Sequence, residues 1–203
     1  MSLKKQTFSG IIWTFMDTFF VRGLMFVAMI FLARWLGPTD FGLVGMIAVF
    51  IAIGRSLTES GMTTSLIRTK TPDQRDFSTI FFINIGMSCV VYTIIFLAAP
   101  YISLFFEQDI LVDVIRVYCL LFLIIAFSGV QLALLTKNME FKKITKINFP
   151  STIVGVSIGL YLGYTGHGVW SIVWMYLSTE LAKAILLWCF SEWKPAFIFS
   201  NNF

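Results

Sequence analysis

The chain has 203 residues, of which 58% are hydrophobic and only 13% are charged, and its mean hydropathy is +0.84. A soluble domain of this length carries more charge on its surface, so the composition excludes an ordinary soluble globular protein and indicates an integral membrane protein. The formal net charge is +4. The basic residues lie mostly in short connections between apolar segments, as the positive-inside rule requires, and we expect no nucleic-acid partner.

Six apolar segments are each long enough to cross a bilayer as a helix. They run over 10–33, 42–66, 77–99, 114–136, 147–165 and 168–190. Helix-breaking residues lie between consecutive segments, at Gly37-Pro38, Pro72, Pro100 and Gly166. Pro150 is placed in the first turn of the fifth segment, where a proline costs no helical hydrogen bond. The sequence therefore predicts an all-α integral membrane protein, in which residues 1–203 form one bundle of six transmembrane helices.

Lysine and arginine are distributed unequally between the two sides of this predicted bundle. With the N-terminus inside, two of them fall in external segments, Arg34 and Arg116. Ten fall on the cytoplasmic side: Lys4, Lys5, Arg68, Lys70, Arg75, Lys137, Lys142, Lys143, Lys146 and Lys194. Because cytoplasmic loops are enriched in these residues, the bias predicts that both termini lie in the cytoplasm. The basic loop 137–146 is interpreted mainly as a cluster that sets this orientation, and less as a specific lipid site.

Three of the predicted spans carry charged residues inside the membrane, where an ionised group is costly unless a partner or water offsets the cost. They are Asp17 and Arg22 in the first span, Arg55 and Glu59 in the second, and Glu180 and Lys183 in the sixth. In the second and sixth spans the two charges are four and three residues apart, so each pair shares a helix face and can form a salt bridge. In the first span they are five apart, so each needs a partner elsewhere. We expect a polar layer facing the bundle interior or a hydrated cavity, with the two arginines at a similar depth.

These charges have both a structural and a functional interpretation. All of them could be ion pairs that hold helices together. Alternatively, Arg22 and Arg55 bind substrate, because a guanidinium keeps its charge and donates several hydrogen bonds to a phosphate or diphosphate. Asp17 and Glu59 are candidates for ion coupling, since a desolvated carboxyl can carry a proton or help to bind a cation. The pair in the sixth span is assigned to a secondary polar layer.

Small residues recur every four positions in the fifth span, at Ser151, Gly155, Gly159 and Gly163. Such spacing places them on one helix face and lets another helix, or a lipid chain, approach the backbone closely. Helix packing is the favoured interpretation.

No arrangement of side chains points to an enzyme. The sequence has no GxSxG, P-loop or HExxH motif, and its single histidine, His167, lies in a turn. Three cysteines in apolar runs are interpreted as small buried hydrophobic residues: Cys89, Cys119 and Cys189. Without metal-ligating residue types at suitable spacing, we expect no metal, no cofactor and no enzymatic activity.

Several motifs follow one another in an order that resembles a known family. They are SLKKQTFSGIIWTF (2–15), LARWLGPTDFGLVGM (32–46), ESGMTTSLIRTK (59–70), LLTKNMEFKK (134–143), GHGVWSIV (166–173) and WKPAFIFS (193–200). Together they resemble the polysaccharide-transport branch, the Wzx-type oligosaccharide flippases, of the multidrug/oligosaccharidyl-lipid/polysaccharide exporter superfamily. The resemblance extends over nearly the whole chain.

This resemblance implies a flippase of the bacterial inner membrane, which moves an undecaprenyl-diphosphate-linked oligosaccharide from the cytoplasmic to the external leaflet. In related lipid II flippases, arginines of the first helices line a cationic cavity that accepts the diphosphate. Arg22 and Arg55 stand at comparable places, so the resemblance assigns them that role. Family transport is coupled to an ion gradient or membrane potential, which makes Asp17 and Glu59 the coupling candidates.

Members of this family have two lobes, whereas these six spans resemble one, the N-terminal lobe. A lobe of this kind implies a second lobe or a homo-oligomer as partner, and glycan polymerases or glycosyltransferases as neighbours in the membrane. Three other functions stay open. They are a drug/cation antiporter of the same superfamily, which would favour an acidic cavity, a non-transporting scaffold of glycan assembly, and a membrane enzyme that would have to use His167.

Overall fold

The computed structural model describes residues 3–58, 74–191 and 193. These residues form seven helices and no strand: α1 (Leu3–Trp35), α2 (Pro38–Thr58), α3 (Gln74–Phe106), α4 (Ile110–Tyr118), α5 (Leu120–Lys137), α6 (Phe141–Tyr164) and α7 (Trp170–Phe190). Only Cys119 separates α4 from α5, and the two form one apolar rod over Ile110–Lys137. The prediction of an all-helical membrane bundle of six rods is therefore confirmed.

Five segments of these rods are long and apolar enough to cross a membrane, judged by length and composition. They are Gly10–Trp35, Pro38–Ser56, Phe77–Phe106, Ile110–Lys137 and Trp170–Phe190. The sixth rod, α6, is not among these five segments, because its glycine, serine, threonine and asparagine residues make it less apolar than the others. Several of these residues are buried where α6 packs between α1 and α7, so few of them would meet lipid.

Helix ends differ from the predicted spans at three places. α3 continues through Pro100 to Phe106, and α6 begins at residue 141, which puts Pro150 inside the helix instead of in its first turn. A proline inside an apolar helix removes one backbone hydrogen bond, and neighbouring helices can compensate for it in a membrane. The rod that contains α4 begins at residue 110, so Arg116 lies inside a helix and not in an external loop.

The helices pack in the order α1, α6, α7, α5, α3 and α2, while α4 lies against α3, α7 and α2. α1 and α2 make little direct contact with each other along the part of the chain that the structure describes. They approach one another at the short connection through Gly37 and in an apolar cluster shared with α6 and α7. Along their remaining lengths they pack against other helices, α1 mainly against α6 and α2 mainly against α3.

The small residues of α6 pack closely against two neighbouring helices. A Cβ atom added at Gly155 would meet the Thr179 hydroxyl and lie 2.6 Å from the Met175 backbone oxygen, both on α7. A Cβ atom at Gly163 would lie 2.5 Å from Leu32 of α1. The prediction of helix packing along this face is therefore confirmed.

Two motifs noted in the sequence meet at the end of the bundle where α1 joins α2. The carboxylate of Asp40, in the first turn of α2, lies so close to Gly168 that a Cβ atom there would be 3.1 Å from both its oxygens. Gly168 has φ +55°, a conformation that favours glycine, and it comes just before α7 begins. Negative charge is stabilising at a helix N-terminus, so Asp40 ties the start of α2 to the start of α7.

Much of the outer surface is apolar, as expected for contact with lipid. Phe15, Phe19 and Phe26 are each about two-thirds exposed on α1. The interpretation of the cysteines as buried residues is correct for Cys119 and wrong for Cys89 and Cys189, which are exposed. The apolar sequence around the last two faces the bilayer and not the core.

Candidate functional site

Arg22 lies on the edge of α1 that faces α2 and α7. Met25 and Met29 follow it by three and seven residues, and both pack against the apolar cluster that includes parts of α2 and α7. Positions three and seven apart share a helix face, so Arg22 continues this stripe beyond the cluster. Its side chain is exposed. The guanidinium therefore lies on the same side of α1 as these two methionines and beyond the cluster that they contact.

Arg55 lies on the corresponding edge of α2. Phe41 and Val44 pack against the same apolar cluster, and they precede Arg55 by fourteen and eleven residues, close to four and three full helical turns. Arg55 is exposed as well. Both arginines thus lie on helix faces that pack, further along, against the same apolar cluster.

α7, which contributes to the same apolar cluster, carries a polar stripe. Tyr176, Glu180 and Lys183 are spaced by four and three residues and are all half-buried. The carboxylate of Glu180 and the ammonium of Lys183 are 3.6 Å apart. The ring of Tyr176 lies 6.0 Å from that of Tyr118 in α4, and Arg55 is near enough to both tyrosines to act on them electrostatically. We call the surface formed by Arg22, Arg55, Tyr118, Tyr176, Glu180 and Lys183 the central cleft.

Contacts between helices give the height of the two arginines along α7. Contacts of α1 with α6, and of α6 with α7, bring Arg22 close to the level of Lys183. Gly54, the neighbour of Arg55, approaches the ring of Phe122, and Phe122 lies between Tyr118, which contacts Tyr176, and Phe127, which contacts Trp188. These contacts put both arginines within the stretch of α7 between Tyr176 and Trp188.

Asp17 lies on another face of α1, packed against α6. Its Oδ2 atom accepts a hydrogen bond of 3.0 Å from the side-chain amide of Asn148. Its Oδ1 atom is buried and has no hydrogen-bond partner among the described residues. The contact with α6 therefore satisfies only one of the two carboxylate oxygens. Glu59, the other coupling candidate, and its pairing with Arg55 lie outside the described residues.

Arg116 is a further cation inside a span. Its guanidinium lies 4.3 Å from the centre of the Phe96 ring, and its Nε atom is buried without a hydrogen-bond partner in the described ranges. An arginine over an aromatic face keeps part of its stabilisation through a cation–π interaction. This contact accounts for its place in an apolar helix.

Sequence reasoning did not single out Tyr118, Tyr176 or Asn148. Aromatic residues and single amides are common in membrane helices, so none of them stands out from its neighbours in the sequence. Only the packing of α4, α6 and α7 reveals their positions beside the charged groups. Within the described residues, no group of three or more His, Cys, Asp or Glu side chains could hold a metal ion.

Comparison with known proteins gives one family and several relatives. The family described as polysaccharide biosynthesis protein matches residues 31–202. The chain is 27% identical over 202 residues to the lipopolysaccharide biosynthesis protein WzxC of Escherichia coli (strain K12), and 26% identical over 200 residues to the teichuronic acid biosynthesis protein TuaB of Bacillus subtilis (strain 168). Each match covers 98% of this chain and 41% of the relative.

A third relative is named as a transporter. The chain is 23% identical over 188 residues to the succinoglycan biosynthesis transport protein ExoT of Rhizobium meliloti (strain 1021), which covers 93% of this chain and 38% of that protein. The chain thus spans about 40% of the length of these curated relatives. No solved structure matches it. The resemblance to polysaccharide-transport proteins is confirmed, and the apolar helices together with these relatives identify a multi-pass membrane protein.

Proposed function

The chain belongs to the polysaccharide biosynthesis protein family, and on that premise we propose that it moves undecaprenyl-diphosphate-linked oligosaccharide across the bacterial inner membrane, as a flippase or as the N-terminal lobe of one. The observation that carries this proposal is the pair of exposed arginines, which lie on faces of α1 and α2 that pack against one apolar cluster. A diphosphate entering the bilayer loses hydration, and guanidinium groups replace it with charge-assisted hydrogen bonds.

The charge of the central cleft favours an anionic substrate. Its described side chains carry three positive charges, on Arg22, Arg55 and Lys183, against one negative charge on Glu180. A drug/cation antiporter would need the opposite balance.

The coupling role belongs to Asp17 in this proposal. The carboxylate lies beside Asn148 at the contact of α1 with α6, and one of its oxygens has no partner there. A cation bound at that oxygen, or a proton carried on it, would neutralise a buried charge that has no partner there. Glu59 is retained as a second coupling candidate from the sequence.

A partner completes the transporter. Alternating access requires one lobe to move against another, and this chain spans about 40% of its relatives. We propose that residues 1–203 act as one six-helix lobe with both termini in the cytoplasm. They would work with a second lobe or a second copy of the chain, beside the machinery that assembles the glycan.

The test replaces each arginine in a cell that carries the rest of the export system. Arg22→Ala and Arg55→Ala should each lower surface glycan by about tenfold or more, because a charge-assisted hydrogen bond contributes about 1.5–3 kcal/mol. Surface glycan is measured by antibody binding to intact cells, and the amount of protein in the membrane by immunoblot.

Arg34→Ala is the matched control, since Arg34 is exposed in the last turn of α1 and outside the central cleft. It should leave export unchanged. The substrate-binding role is wrong if neither cleft variant alters export, or if the Arg34 variant lowers it equally.

A further inference from the structure

The outer surface between α3, α5 and α7 carries an apolar groove of about 700 Å³. Ile85 and Cys89 line it from α3, Phe127 from α5, and Ala184 and Trp188 from α7. The indole N–H of Trp188 donates to the backbone oxygen of Phe127 at 3.0 Å, and the two rings stack at 4.7 Å. This wall is therefore held in place, and the groove is a formed feature of the surface that faces lipid.

A polar pocket of about 250 Å³ lies about one helical turn further along α5, near the end of α7 and the start of α6. Its lining includes Gln131, Asn138, Glu140, Lys143 and Trp193. Phe127 of the groove and Gln131 of the pocket are four residues apart and share one face of α5. An apolar groove with a small polar pocket at this distance has the polarity of a phospholipid, with a chain at one end and a headgroup at the other.

The pocket offers charges of both signs and two further hydrogen-bonding groups. The ammonium of Lys143 lies 2.7 Å from the Glu140 carboxylate. The Gln131 amide nitrogen is best satisfied by donating to the backbone oxygens of Phe127 and Ser128, at 3.3 and 3.2 Å, which leaves the amide oxygen as an acceptor. The Trp193 indole N–H is buried and has no hydrogen-bond partner in the described part of the chain.

We propose that the groove and the pocket together bind one phospholipid with a primary-amine headgroup. The acyl chain lies in the groove. The phosphate lies beside Lys143 and the Trp193 N–H, and the ammonium donates to Glu140 and to the Gln131 oxygen. An acidic lipid would bring uncompensated negative charge to Glu140, and a choline headgroup has no N–H to donate, so both fit the pocket less well.

Native mass spectrometry of the purified chain tests this site. The chain is presented with phosphatidylethanolamine, phosphatidylglycerol and phosphatidylcholine that carry identical acyl chains. Phosphatidylethanolamine should be retained about tenfold more than either of the others, as expected for one added charge-assisted hydrogen bond. Equal retention of the three lipids, or a preference for phosphatidylglycerol, would overturn the proposal.

Three variants assign the preference to the pocket. Glu140→Gln should abolish the preference for the amine headgroup, and Lys143→Gln should lower retention of all three lipids. Lys146→Gln is the control, because Lys146 is exposed on α6 and is not among the residues that line the pocket. A loss with Lys146→Gln equal to that with Lys143→Gln overturns the assignment, since general attraction to the basic turn would then suffice.

The native cysteines provide a second measurement. Cys89 and Cys189 line the groove, whereas Cys119 is buried in the core. Bound phosphatidylethanolamine should slow the reaction of Cys89 and Cys189 with a membrane-soluble maleimide severalfold relative to phosphatidylcholine, and Glu140→Gln should remove the difference. An unchanged reaction rate contradicts the proposal.

A chain ending after Trp193 should retain lipid as the full chain does, and a gain in retention would show that residues 194–203 fill the pocket instead.

Discussion

At the scale of single residues, the contact between Asp17 and Asn148 shows how a charge is held inside an apolar helix. Asn148 satisfies one carboxylate oxygen at 3.0 Å, and the other oxygen is buried without a partner among the described residues. This arrangement is incomplete as a structural contact, because a buried carboxylate needs more than one donor. The oxygen without a partner is the reason why we propose Asp17 as the ion-coupling residue.

A double-mutant cycle separates the contribution of this contact to stability from the role of Asp17 in transport. Asn148→Leu should lower the free energy of unfolding by about 1.5–3 kcal/mol, because it leaves the carboxylate without its donor. Adding Asp17→Leu should recover most of that loss, since an apolar pair can replace a buried polar one. The measurement is thermal unfolding in detergent. The folded double variant should still fail to export glycan, and normal export by it would make Asp17 purely structural.

Some of these residues can be recognised from the sequence and others cannot. Asp17, Arg22 and Arg55 stand out because ionised side chains are costly in apolar helices. Tyr176 and Asn148 do not stand out, because their importance comes from which helices touch. Their contacts depend on the register between α6 and α7, and that register is a property of packing.

At the scale of elements, α6 shows what a period of four small residues achieves. The side chains of Thr179 and Met175 pack against Gly155 and Gly159, and the side chain of Leu32 packs against Gly163. The spacing predicted one close-packed face, but it did not reveal that the face serves two partners. The helix ends were harder to predict, because Lys142, Lys143 and Lys146 look like loop residues in the sequence and are helical in the structure.

Gly155→Ala should destabilise the protein. Its Cβ atom would lie 2.6 Å from the backbone oxygen of Met175, which cannot move aside as a side chain can, and overpacking of this kind costs about 1–3 kcal/mol. Gly129→Ala in α5 is the matched control, since nothing lies within 4 Å of its added Cβ and alanine favours the helix by about 0.5–1 kcal/mol. Thermal unfolding of both variants in detergent is the measurement, and equal stability of the two would contradict the packing argument.

At the scale of the whole molecule, the orientation in the membrane follows from charge and is open to a direct test. Asp109 and Asn138 are exposed at opposite ends of the α4–α5 rod, which at 28 residues is about 42 Å long. In a chain whose native cysteines are replaced, Asp109→Cys should react with an impermeant maleimide on intact cells. Asn138→Cys should react only after the cells are permeabilised, and the reverse pattern would make the predicted orientation wrong.

The whole-molecule architecture was largely predictable, since six apolar segments separated by breakers can form little other than a helical bundle. The central cleft was only partly predictable. Its charges follow from the sequence, but their arrangement depends on packing, because α1 and α2 make little contact with each other and meet α7 in one apolar cluster.

The carboxylate of Asp40 lies against Gly168, so the beginnings of α2 and α7 are close together beside the short turn between α1 and α2, and the neighbouring apolar cluster packs these helices together at that end. Under the proposed function, this end would act as a pivot. A change in the separation of the two arginine-bearing helices would then grow with distance from it and be greatest at their far ends, the side from which the proposed glycolipid would enter.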